Sequence, residues 1–285
     1  MSASFQLSPR HKFAAFAETN HRAKDLLTTV LPQYPVLVAI AARARALALE
    51  TRNATPAFSW PATAEDFNDD WIEHEIARRR AITENESRLS VFNDIEHNVR
   101  CEIHDLIDDN ATALITALAQ QFDNLLDRLA DAVAELGEHV HTAADAITAG
   151  TTQAWKQIAE MVAEYQDIRT VQTRLYRGCT TVAIDELRCG DQNPAVTNPE
   201  ARVYFHSNIA TIAPNWQGGR TDNGAIIDAT YPWPTGPIER LVWLVRSDSG
   251  MWCPTPAELR DHLTNAPAAP LPATPDRLMH TEVVA

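Results

Sequence analysis

Four residues within the stretch 96–110, EHNVRCEIHDLIDDN, carry side chains that bind metals: His97, Cys101, His104 and Asp108, spaced by 4, 3 and 4. Such spacing places all four on one face of a helix, opposite the apolar side that holds Val99 and Leu106. Imidazole, thiolate and carboxylate are all zinc donors, and two histidines one helical turn apart form a chelating pair. One helix is nonetheless a poor source of four tetrahedral ligands, because side chains on one face splay outward. The favoured reading is a solvated helix face with no cofactor. Zinc held by His97, Cys101, His104 and Asp108, structural or between subunits, is the alternative.

Other chemistry-bearing residues give weaker patterns. Cys179 or Cys189 could act as a nucleophile with His206 as base and Asp185 or Asp228 as acid. No known nucleophile motif surrounds them, so small core residues are the simpler reading. His139 and His141 are two apart and point different ways on a helix. The run Arg78–Arg79–Arg80 reads as a solvated face. The stretch 216–224, WQGGRTDNG, matches neither GxGxxG nor GxxxxGK[ST], and so indicates no phosphate loop. Aromatic side chains cluster around it, and Trp216, Arg220, Tyr231 and Trp233 form a candidate binding surface for a sugar or peptide.

Composition narrows the functional classes. The net charge of −14 is uneven: residues 1–61 carry +4, 62–137 carry −12 and 138–285 carry −6. An acidic middle repels phosphates, so no nucleic acid partner is expected there. Four scattered cysteines without a CxxC pair suggest free thiols. The most apolar run, residues 36–49, is too short and too rich in arginine to span a membrane. The expected location is the cytoplasm, or a particle assembled after synthesis there.

Glycine and proline mark the elements that must position these residues. No glycine occurs before Gly137, and no proline between Pro61 and Pro194. In a helix interior each would cost about 1 and about 3 kcal/mol respectively, so their joint absence predicts long helix. Thr63 and Asp66 suggest its capping box. From Phe92 an apolar stripe recurs by threes and fours: Phe92, Ile95, Val99, Ile103, Leu106, Asn110, Leu114, Leu118, Phe122, Leu125, Leu129, Val133 and Leu136, running on to Ile147. Asn110 is either a buried register-setting residue or a helix junction, and the chain can fold back at 108–112 or at Gly137. A further helix follows Gly150 and ends at Gly178. Beyond it, TTVAIDEL, ARVYFHSNIATIA, GAIIDATY and IERLVWLV read as short strands, and Thr255, Pro256 and Glu258 open a last helix.

The expected fold class is α+β and mainly helical: long amphipathic helices in a bundle or coiled coil, then a small β-rich C-terminal domain. The expected domains are a basic helical arm (1–61), an acidic long-helix segment (62–177), the β-rich domain (178–265) and a Pro/Ala-rich tail (266–285). The expected function is a non-enzymatic structural or assembly protein that self-associates through its long helices, or pairs with another helical protein. A stalk with a β head suggests phage or cell-surface structures by architectural analogy alone. An enzyme with a cysteine–histidine site and a metal-binding bundle are the rivals.

Overall fold

The computed structural model describes residues 11–54, 56–179, 205–213, 220–222, 225–228 and 233–265. The helices are α1 (Lys12–Ala17), α2 (His21–Val30), α3 (Tyr34–Asn53), α4 (Asp69–Asp109), α5 (Ala111–Leu136), α6 (Ala143–Ala149), α7 (Thr152–Gly178), α8 (Ile209–Ile212), α9 (Pro237–Arg246) and α10 (Pro256–Asn265). Strands β1 (Arg220–Asp222) and β2 (Ala225–Asp228) form one antiparallel hairpin.

The region free of glycine and proline is helical, but it is not one rod. Asn110 (φ −107°, ψ 14°) separates α4 from α5, and its Nδ2 donates to the carbonyl of Leu106 at 2.8 Å. Gly137 ends α5 at φ 80°, a backbone region that a β-carbon disfavours. The stripe therefore finds its cover within the chain. Leu114, Leu118, Phe122, Leu125, Leu129, Val133 and Leu136 are buried against α7, whose Ile158, Tyr165, Ile168, Val171 and Leu175 face them, with α1, α2 and α9 closing the sides. Phe92, Val99 and Leu106, farther towards the start of α4, are only half-buried.

The small β-rich C-terminal domain does not exist among the described residues. Strand is confined there to the seven residues of β1 and β2 and to an isolated bridge between His206 and Met251. The stretch IERLVWLV lies in helix α9, with Pro237 in its first turn, Glu239 near its start and Arg246 near its end. Ile238, Leu241, Val242 and Val245 are spaced by 3, 1 and 3, a helical pattern hidden under β-branched composition. The stretch TTVAIDEL lies outside the described residues.

Two caps show how local signals fared. Thr255 and Glu258 form the reciprocal box: Thr255 N–H donates to Glu258 Oε2 at 2.7 Å, and Glu258 N–H to Thr255 Oγ1 at 3.3 Å. Thr63 and Asp66 make the same exchange, yet the helix does not start there. Asn68 caps α4 instead, accepting from Trp71 N–H at 3.1 Å.

The last part of the chain docks on the bundle through arginines. Arg169 is buried on α7; it donates to the carbonyls of Trp252 (2.7 Å) and Phe205 (3.0 Å) and lies over the Phe122 ring at 4.1 Å. Arg246 donates to the carbonyls of Val140 (2.9 Å) and Gly137 (2.6 Å), tying α9 to the α5–α6 connection.

A two-helix arm leaves this bundle. α3 runs back along α4: Val38 and Ile103 line one groove, and Arg45 pairs with Glu96 at 2.8 Å. The buried residues of α3 after Tyr34 are Ala41, Ala44 and Ala48, so the two backbones lie close over a thin apolar seam. Only Glu75, Ile103, Ile107 and Asp108 are buried among the 41 residues of α4, three of them near its end. Its first half is accompanied by residues 56–68 of the α3–α4 connection, where Phe58 rests on Arg78 (5.0 Å) and near Trp71 (6.4 Å).

Candidate functional site

The strongest grouping of reactive side chains lies where α1, the end of α4 and the end of α7 meet. His11 is the N-cap of α1, and its Nδ1 accepts from the backbone N–H of Phe13 (3.2 Å) and Ala14 (3.3 Å). An accepting Nδ1 leaves the ring proton on Nε2, which donates to Asp108 Oδ1 at 3.2 Å. Cys179 caps the end of α7, and one ligand atom each from His11, Asp108 and Cys179 lie within 4.8 Å of one another. All three residues are buried. His104 stands at the edge, its Nδ1 3.5 Å from Asp108 Oδ2 and its ring 5.0 Å from that of His11.

Gly178 permits this convergence. A β-carbon there would lie 3.0 Å from Phe13 Cβ and 3.2 Å from Phe13 N, so any larger residue would push α1 back from the end of α7 by a few tenths of an ångström. Burial sets the protonation states. It holds the His11 imidazole below its ordinary range, against the opposing pull of Asp108. Burial first, then the charge of Asp108, push the Cys179 thiol up to about 12. Such a thiol is protonated at neutral pH and is not a nucleophile as it stands.

The metal-ligating face expected on α4 is thus divided. His104 and Asp108 turn toward α1 and α7. His97 and Cys101 are exposed, with Cys101 Sγ 3.8 Å from His97 Nε2. No local signal marks His11, which meets Asp108 across 97 residues.

The other candidates are also placed apart. His206 is buried, and neither ring nitrogen has a hydrogen-bond partner among the described residues, so it is not engaged with Cys179. Burial pushes the Cys253 thiol up to about 12 as well. Trp233 is buried between the rings of His206 (5.7 Å) and Trp243 (6.2 Å), and is an interior residue, not an open platform. Arg220 and Asp228 lie in the hairpin. Trp216, Tyr231, Asp185 and Cys189 lie outside the described residues.

A second feature is a surface. Twelve large hydrophobic side chains are exposed among the described residues, and eleven belong to the arm: Val36, Val38, Ile40 and Leu49 on α3, Phe58, Trp60 and Phe67 in the connection, and Ile72, Ile76, Val91 and Ile95 on α4. Trp60 is 81% exposed. Ile147 is the one outside it. Among the described residues no single helix is long and apolar enough to cross a membrane.

Compared with protein-family models, curated proteins and solved structures, the chain has no match.

Proposed function

We propose that this chain is a non-enzymatic assembly protein that associates with a second copy of itself through the α3–α4 arm. The observation that carries this reading is the concentration of exposed large hydrophobic side chains on the arm, eleven of the twelve among the described residues, with only Ile147 left exposed elsewhere. A hairpin of two helices has only one internal seam, and here that seam holds alanines. The larger side chains therefore need a further layer, and burying each contributes about 1.5–3 kcal/mol.

Charge supports a second copy as the partner. Along α4, the exposed Asp69, Asp70 and Glu73 come first and the exposed Arg79 and Arg80 follow, while Glu75 and Arg78 pair with each other inside the arm. Two such helices laid antiparallel about Ile76 set each acidic end against the other's arginines, with Ile72 and Ile76 inside the contact. A C2 contact of this kind is self-complementary. The surface is different from the one the sequence suggests, because the 92–136 stripe is largely consumed within the bundle.

Light scattering coupled to size exclusion tests this. The wild-type chain, 31.6 kDa as a monomer, should elute as a dimer or larger, and the double variant Ile72→Glu, Ile76→Glu should elute as a folded monomer. A wild-type monomer at every concentration, or a double variant with unchanged mass, overturns the proposal.

A further inference from the structure

We propose that His11, Asp108 and Cys179 form a site for a divalent metal ion, zinc by its donor set, that fastens the beginning of the described chain to the ends of α4 and α7. The three ligand atoms lie within 4.8 Å of one another in a buried setting. They come from three separate elements, which removes the weakness of a ligand set drawn from one helix face. Nitrogen, oxygen and sulfur together suit a borderline-soft ion such as zinc, whereas magnesium and calcium require oxygen.

The surroundings supply what a metal site needs beyond its ligands. His104 Nδ1 lies 3.5 Å from Asp108 Oδ2 and is placed to orient that carboxylate. A groove lined by His11, Tyr34, Val38, Arg45, Arg100 and Ile103 borders the cluster and offers a path for the ion. Charge also balances. A dication joined to one thiolate, one carboxylate and one neutral imidazole gives a neutral buried centre.

Proton accounting defines the loading step. The metal–sulfur bond forms as the Cys179 S–H bond breaks, and that proton goes to solvent. The metal–nitrogen bond forms at His11 Nε2, whose proton is lost while Nδ1 gains one, so the imidazole stays neutral. Asp108 contributes an oxygen without proton change. One proton is released per ion, and water fills a fourth position. The tautomer change also ends the acceptance of the Phe13 and Ala14 N–H groups by Nδ1, so loading must alter the start of α1.

Cobalt(II) serves as the probe, because a cobalt–thiolate bond gives a charge-transfer band that nitrogen and oxygen ligands do not. The full-length chain, stripped with chelator and titrated with cobalt(II), should show this band at one ion per chain and lose it on adding zinc. Cys179→Ser should abolish it, and Cys101→Ser should leave it unchanged. His11→Asn, which keeps an N-cap residue on α1, should weaken cobalt binding at least tenfold and so provides the reading if Cys179→Ser does not fold. No band in the wild-type chain, or a band that survives Cys179→Ser or disappears with Cys101→Ser, overturns the proposal. This test is independent of self-association, because it reads a thiolate–metal bond and not a mass.

Discussion

Arg169 shows how much of the architecture one side chain holds. Its guanidinium reaches the carbonyls of Phe205 and Trp252 and Gln172 Oε1, and stacks over Phe122, so α7 carries the 205–208 and 249–254 segments through it. Arg169→Met fills similar space but removes two charge-assisted hydrogen bonds, each contributing about 1.5–3 kcal/mol, while Phe205 O keeps the bond from Trp252 N–H at 3.2 Å. The expected loss is roughly 2–4 kcal/mol by urea denaturation, and an unchanged midpoint would show that the carbonyls find other partners. His206 sits in the segment that Arg169 holds. Burial first, then the charges of Arg169 and Arg240, keep its pKa well below 6.5. The unfolded chain takes up a proton near 6.5 that the folded chain refuses, so stability is full above that pH and falls as pH drops below it. His206→Phe should flatten the fall in melting temperature between about pH 7.5 and about pH 5. A slope identical to wild type would remove His206 as its source. Neither residue's role was readable from sequence, since no local pattern reveals that a charge will be buried or an imidazole left without a partner.

At the scale of elements, α4 divides into two regimes. Its last turns bury Ile103, Ile107 and Asp108 in the bundle. Its first half is held mainly by its own ion pairs, Glu75 with Arg78 (2.6 Å) and Arg79 (2.8 Å), and Glu84 with Arg88 (2.6 Å). Pairs of this kind stabilise a helix by only about 0.2–0.5 kcal/mol each. Backbone amides of residues 72–90 should therefore exchange with deuterium far faster than those of α5 and α7 when the chain is dilute. Equal protection along the whole of α4 in the monomer would contradict the division. The helical character of the 69–136 stretch follows from sequence, because glycine and proline are missing and the apolar stripe is regular. The α9 stretch was harder: Val and Ile favour strands in composition, while their spacing and the flanking Gly236 and Pro237 favour helix. Length and spacing decide such cases better than residue type.

Viewed whole, the molecule is a bundle with a projecting arm. α4 alone is about 60 Å long at 1.5 Å per residue, more than a domain of this size needs to enclose its core. Small-angle scattering should therefore give an elongated particle, longer still when two arms overlap, and a radius of gyration typical of a sphere would count against the arm. The arm offers an exposed apolar surface and the cluster at its base a set of metal-type ligands, so the proposed assembly and the proposed metal loading would be two separate properties of one frame.

The sequence by itself determined the helices of the middle third, the box at Thr255 and the existence of an apolar ridge, and offered Asn110 and Gly137 only as alternative places for a break. These are local matters of backbone freedom, capping and period. Only the tertiary structure decided that most of the ridge is covered within one chain, that the apolar surface left over lies on the arm, and that His11 and Cys179, not His97 and Cys101, stand beside Asp108. The reason is physical: a period tells which face of a helix avoids water, but the identity of what covers that face depends on contacts between residues some hundred positions apart, which no local pattern encodes.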